Sequence, residues 1–106
     1  MKLVTHDQNG LRIMTVQAER IDAAVAIRFK DQVREAAADA PERVILDLQN
    51  ITFIDSSGLG AIVAAMKLLP KGVKMELASL NEGVDKVFRM TRMDKIFDIH
   101  CDTKTL

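Results

Sequence analysis

Residues 43–48, RVILDL, are a compact apolar run rich in β-branched side chains, lying just after Pro41. A run so short and so apolar reads as a strand buried in the middle of a sheet, not as an amphipathic edge strand. The segments around it carry a different period. From Asp22 onward Ala26, Phe29, Val33, Ala36 or Ala37, and Ala40 recur at three and four, with charged residues on the other side. This predicts an amphipathic helix with Asp22 as its N-cap and Pro41 as its end. Beyond the apolar run, Leu59, Ile62, Met66 and Leu69 form a second stripe, predicting a helix over about 57–69 that Pro70 and Gly72 stop. Gly58, Gly60, Ala61, Ala64 and Ala65 in that segment permit close packing on a sheet.

The remaining segments extend the alternation. VKMELAS (73–79) reads as a strand, and Val84, Val87, Phe88 and Thr91 predict a third helix over about 81–91. KIFDIH (95–100) reads as a short final strand. At the other end, two apolar runs (3–6 and 11–16) flank DQNG, and Asn9-Gly10 is a strong hairpin signal. The order ββαβαβαβ implies an α/β fold with right-handed crossovers that lay helices on a sheet. At 106 residues the expectation is a single domain spanning 1–106.

Composition narrows the function classes. Fifteen basic and fifteen acidic residues cancel, so no overall field gathers nucleic acid or an anionic membrane. Four Phe with no Tyr or Trp leave few platforms for base stacking. The longest apolar run, 59–66, falls far short of the ~20 residues of a membrane span. The start MKLVTHDQNG turns polar too early for a signal peptide. Cys101 has no partner for an internal disulfide, which suits a reducing compartment. A cytoplasmic location is the expectation.

The segment FIDSSGLGAIV (53–63) concentrates the chemistry. Its adjacent serines at a helix mouth read as an N-cap, a nucleophile or a phosphate acceptor. The nucleophile elbow is Gly-x-Ser-x-Gly, whereas this is Asp-Ser-Ser-Gly-Leu-Gly. A base would have to be His6 or His100, the only histidines; Asp98 and His100 form at most a faint acid–histidine pair. His100 and Cys101 lack a second ligand pair for a metal, and no Gly-Lys-Ser/Thr marks a nucleotide loop. A cap explains one serine but not two. Glycines in a first helical turn bring the backbone within reach of an outside partner, and the positive end of a helix favours a phosphate there.

VILDLQNITFIDSSGLGAIVAAMK, together with Asp22, KMELAS and VDKVFRMTRMDKIFDI, closely resembles the bacterial anti-sigma-factor antagonists of the STAS domain family. The resemblance implies a STAS fold: a mixed four- to five-stranded sheet covered by about three to four helices. It implies a switch and not an enzyme, with no cofactor or metal of its own and a monomer as the favoured state. The unphosphorylated protein would bind an anti-sigma factor that is also a serine kinase, releasing a client. ATP held by that kinase would phosphorylate Ser56, and a metal-dependent phosphatase would reset it. The docking surface carried over is Asp22, Asp55, Ser56, Ser57, Gly58, Leu59 and Gly60, with Ser57 expected mainly to shape the helix entrance. Three positions depart from the family pattern: Glu19 replaces a glycine, Arg92-Met93 replaces Gly-Leu, and the chain stops where relatives usually continue into a last helix. The last departure predicts a partly uncovered sheet. The alternatives are a STAS module of a signalling scaffold or lipid transporter and, from a different class, a small serine hydrolase.

Overall fold

The computed structural model describes residues 1–106. Its chain begins with the expected hairpin. Asn9 and Gly10 both take positive φ (51° and 77°), the two-residue turn whose twist matches its flanking strands. They join β1 (Lys2–Gln8) to β2 (Leu11–Gln17) in antiparallel register, Lys2 opposite Gln17 and Gln8 opposite Leu11. Then follow β3 (Arg20–Ile21), α1 (Ala26–Ala36), β4 (Arg43–Asp47), β5 (Phe53–Ile54), α2 (Ser56–Lys67), β6 (Lys74–Ala78), α3 (Glu82–Met90), a 3₁₀ turn (Met93–Lys95) and β7 (Ile99–His100).

The main sheet has the order β1-β2-β4-β6-β7, and all pairings after the first are parallel. The RVILDL run therefore sits at the centre, as its composition predicts. Parallel neighbours require crossovers, and α1, α2 and α3 supply them. Val44, Leu46 and Leu48 point into a core of 19 buried residues shared with those helices, while Ile45 faces the other side with Leu11, Ile13 and Ala78. Residues 101–106 form no helix; Leu106 packs on this second face, and its carbonyl accepts from the side chains of Gln8 (2.9 Å) and Asn9 (2.8 Å).

Four expectations need correction. First, α1 starts four residues after Asp22, and Asp22 is not its cap: its N-cap position is Val25, which makes no side-chain bond. The chain is held extended through Ile21 by pairing with β5, so a turn must intervene, closed by the Val25 N–H on the Asp22 carbonyl (3.1 Å). The helix also ends five residues before Pro41, in turns at Ala38 and Ala40. Second, the buried stripe of α2 is Gly58, Ala61, Ile62 and Ala65, with Leu59, Met66 and Leu69 only half-buried. The small residues face inward because the helix lies close on the backbone beneath it. Third, KIFDIH is a strand only at its end. Arg92 takes the left-handed conformation (φ 63°), at a cost on the order of 1 kcal/mol. The turn it starts carries Phe97 into the core, edge-on to Phe88 at 6.5 Å. Fourth, β3 and β5 form a separate two-stranded parallel sheet, too short for periodicity to reveal.

On the second sheet face Glu76 is almost fully buried, and charge holds it there. Arg43 donates to both its oxygens (Nε 2.7 Å, Nη2 2.8 Å) and His100 Nε2 lies 2.7 Å away. The Arg43 hydrogen bonds overcome the effect of burial and, with the His100 contact, hold the Glu76 carboxyl at about 2 against an ordinary 4.5. A carboxylate depressed in this way stabilises the fold fully above its unfolded pKa and loses that contribution as pH falls through the folded value. The loss should therefore run from about pH 4.5 down to about pH 2; its full size is about 3 kcal/mol. Urea unfolding across that range should show the decline, and Glu76→Gln should flatten it while lowering stability at neutral pH.

Candidate functional site

The site grows from the small β3–β5 sheet. Ile21 pairs with Ile54 and both turn into the core, so Asp22 and Asp55, the next residues on each strand, emerge side by side. The Asp55 N–H donates to the Ile21 carbonyl (3.4 Å), and the chain then turns into α2. Asp55 is extended (φ −105°, ψ −176°) and is the N-cap: its carboxylate accepts from the Gly58 N–H at 2.8 Å. This corrects the expectation that Ser57 serves the free N–H groups of the first turn. Asp is as good a cap as Ser and takes that position one residue earlier. Ser56 and Ser57 are consequently the first two helical residues, both exposed, and neither hydroxyl joins the hydrogen bonding around the cap.

The two glycines differ in kind. Gly58 is buried, and a Cβ there would lie 1.9 Å from the Ile21 carbonyl oxygen and 2.9 Å from Ile54 Cγ1. Its missing side chain lets the helix sit directly on β3 and does not face outward as expected. At Gly60 a Cβ would meet nothing within 4 Å, so only this glycine opens the backbone to the exterior. Leu59 is half-buried and packs against the core. Ser57 and Gly60 share a shallow groove with Ile27, Lys30, Ala61 and Ala64, between α1 and α2. Ile27 on its rim is 72% exposed.

Asp22 accepts from the Ala24 N–H (3.1 Å) and from Arg20 Nε (3.2 Å). The Arg20 guanidinium also lies over the exposed ring of Phe53, 4.1 Å from its centroid. The sequence reading missed both residues; an Arg and a Phe in two-residue strands carry no motif. Glu19 is exposed, and its carbonyl accepts from the N–H groups of Thr52 (2.7 Å) and Phe53 (3.2 Å), which fixes the start of β5. The other reactive side chains lie elsewhere: Asp98 pairs with Lys74, and His100 with Glu76 on the sheet face away from the helices, so Asp98 and His100 make no pair. No group of three or more His, Cys, Asp or Glu is placed to hold a metal ion. No helix is long and apolar enough to cross a membrane. What the site offers is a pair of free hydroxyls on a turn capped by the Asp55 carboxylate.

The packing of the two glycines makes opposite predictions. Gly58→Ala should lift α2 off β3 and destabilise the chain by several kcal/mol, about 3 or more. Gly60→Ala should leave stability unchanged or raise it by up to about 1 kcal/mol, since Ala is the better helix former. Denaturant unfolding of the two variants checks both.

Comparison with known proteins places these features in a family. The STAS domain model matches residues 2–105. The chain is 25% identical over 91 residues to the anti-sigma-F factor antagonist RsfB of Mycobacterium tuberculosis, covering 86% of this chain and 74% of that one. Among solved structures, an anti-sigma factor antagonist from Mycobacterium paratuberculosis superposes with a TM-score of 0.80 at 22% identity, covering 93% of this chain and 84% of the other. The Bacillus cell fate determinant SpoIIAA in its phosphorylated form superposes with a TM-score of 0.64 at 16% identity over 97% and 92% of the two chains. In its unphosphorylated form it gives 0.65 at 16% over 98% and 91%.

Proposed function

The chain belongs to the STAS domain family, and on that footing we propose that it is an anti-sigma factor antagonist that works by reversible phosphorylation at Ser56. The observation that carries this reading is the pair of exposed, unbonded serine hydroxyls at the head of α2, on a turn whose cap is Asp55. The names of the relatives support it. In the cytoplasm the unphosphorylated chain binds an anti-sigma factor that is also a serine kinase, and that factor lets go of its client. The γ-phosphoryl group of ATP bound by the kinase passes to Ser56 Oγ, ADP leaves, and the hydroxyl proton goes to a base of the kinase. A metal-dependent phosphatase hydrolyses the ester and restores the serine. The catalytic groups belong to these partners; this chain is their ligand and substrate.

The docking surface in this reading comprises Asp22, Asp55, Ser56, Ser57, Leu59 and Gly60, with Gly58 underneath as the seat of the helix. Phosphorylation adds about −1.5 to −2 charges beside Asp55, together with bulk where a partner must fit. A penalty of ~3 kcal/mol suffices for a roughly hundredfold loss of affinity.

The test uses the anti-sigma factor kinase of the same cell with ATP, read by intact mass, peptide mapping and titration calorimetry. Ser56→Ala should abolish phosphorylation and keep binding. Ser56→Glu should bind poorly, and Ser57→Ala should still be phosphorylated, with little change in stability because Asp55 is the cap. Phosphate found on Ser57, or on Ser56→Ala at the parental rate, would falsify the assignment.

Asp22 gives a separate prediction. Asn at this position can still accept from the Ala24 N–H but carries no charge. Asp22→Asn should fold with stability within about 0.5 kcal/mol of the parent, as expected for a surface change, yet bind the kinase at least tenfold more weakly, about 1.4 kcal/mol. Full affinity in Asp22→Asn would remove Asp22 from the docking surface.

A further inference from the structure

Arg20 stands where a cation, an exposed aromatic ring and two carboxylates meet beside the Ser56 turn. It lies on β3 directly opposite Phe53 on β5. Its guanidinium is 4.1 Å from the Phe53 centroid, and its Nε is 3.2 Å from Asp22 Oδ2. The ion pair therefore runs forward along β3, toward the end where the Ile21 carbonyl receives the Asp55 N–H and supports the first turn of α2. Successive strand residues alternate faces. With Ile21 and Ile54 turned into the core, Arg20, Asp22, Phe53 and Asp55 share the outer side. The Arg20 side chain is 57% exposed and spends only its Nε–H on Asp22, and a guanidinium carries five N–H donors. The others are free for a new acceptor.

We infer that Arg20 is the internal partner of a phosphate on Ser56, donating its free N–H groups to the phosphoryl oxygens while its flat face stays on Phe53. This rests on the reading of Ser56 as the acceptor. Its Nε–H can stay on Asp22, so one guanidinium would join the phosphate to Asp22 within the docking patch. The charged groups around the phosphate divide clearly. Asp22 and Asp55 oppose the added charge. Arg20 on β3 and Lys30 on α1, which lines the groove with Ser57, favour it.

The experiment inserts phosphoserine at position 56 during translation, so that no kinase enters, and follows the phosphorus NMR shift against pH. In the otherwise unchanged chain the second phosphate ionisation should lie lower than in Arg20→Gln by roughly one pH unit. Arg20→Lys should keep most of that difference, and Lys30→Gln should keep all of it. An unchanged titration in Arg20→Gln overturns the inference, and so does a shift that follows Lys30→Gln instead. Should Arg20→Gln unsettle the β3–β5 pair, the Arg20 Nε–H resonance of the unsubstituted phosphoprotein decides. It should move with the same midpoint as the phosphorus signal, and a stationary resonance overturns the proposal. Failure of the broader reading would be visible separately, as kinase-transferred phosphate on another residue, while this titration would still report whether Arg20 meets a phosphate at position 56.

Discussion

The absence of a side chain at Gly58 lets the first turn of α2 rest on the carbonyl of Ile21, and the arrangement of the candidate site depends on that contact. It ties α2 to a two-residue strand that could not hold itself. Through β3 it fixes the spacing of Asp22 and Asp55, and through the Asp55 cap it fixes the angle at which α2 leaves the sheet. Interiors pack at crystal-like density, so a displacement there would be passed on and not absorbed. The contact is backbone against backbone, which makes it insensitive to rotamer changes.

The two faces of the main sheet are stabilised differently. One is closed by three helices over an apolar core, with Phe29, Phe88 and Phe97 fully enclosed. The other has a small apolar patch under Leu106 and a buried carboxylate ion-paired with Arg43 and in contact with the His100 ring, across three strands. A buried charge is tolerable only when paired and hydrogen-bonded, and here the Arg43 guanidinium from β4 and the His100 ring from β7 both meet the Glu76 carboxylate on β6. The polar network thus fixes the edge strand β7, whose two residues offer little pairing of their own.

The sequence carried the fold well wherever a segment had enough residues to show a period. RVILDL declared itself central by composition alone, Asn9-Gly10 by turn chemistry, and Phe29, Val33 and Ala37 by spacing. It was incomplete where geometry hides in small residues: in α2 the larger side chains placed Ile62 inward but passed over Gly58, Ala61 and Ala65, because Gly and Ala contribute little hydrophobic signal yet decide closest approach. The caps of α1 and α2 were displaced because Asp22 and Asp55 are both acidic residues before a helical pattern, and only the β3–β5 pairing tells which is adjacent to its helix. Within the candidate site, Asp55 and the serines were legible as a motif. Arg20 and Phe53 were not, since their relation is a cross-strand pair between residues 33 apart in number, with no local pattern to announce it.

The cap at Asp55 frees its neighbours in another respect. Because a carboxylate one residue earlier satisfies the helix start, neither Ser56 nor Ser57 contributes an obligatory bond to the native state. Quality control in the cell responds to stability differences of 1–2 kcal/mol, and replacements at these two exposed positions stay beneath it. Folding alone therefore places little demand on the identity of these two residues.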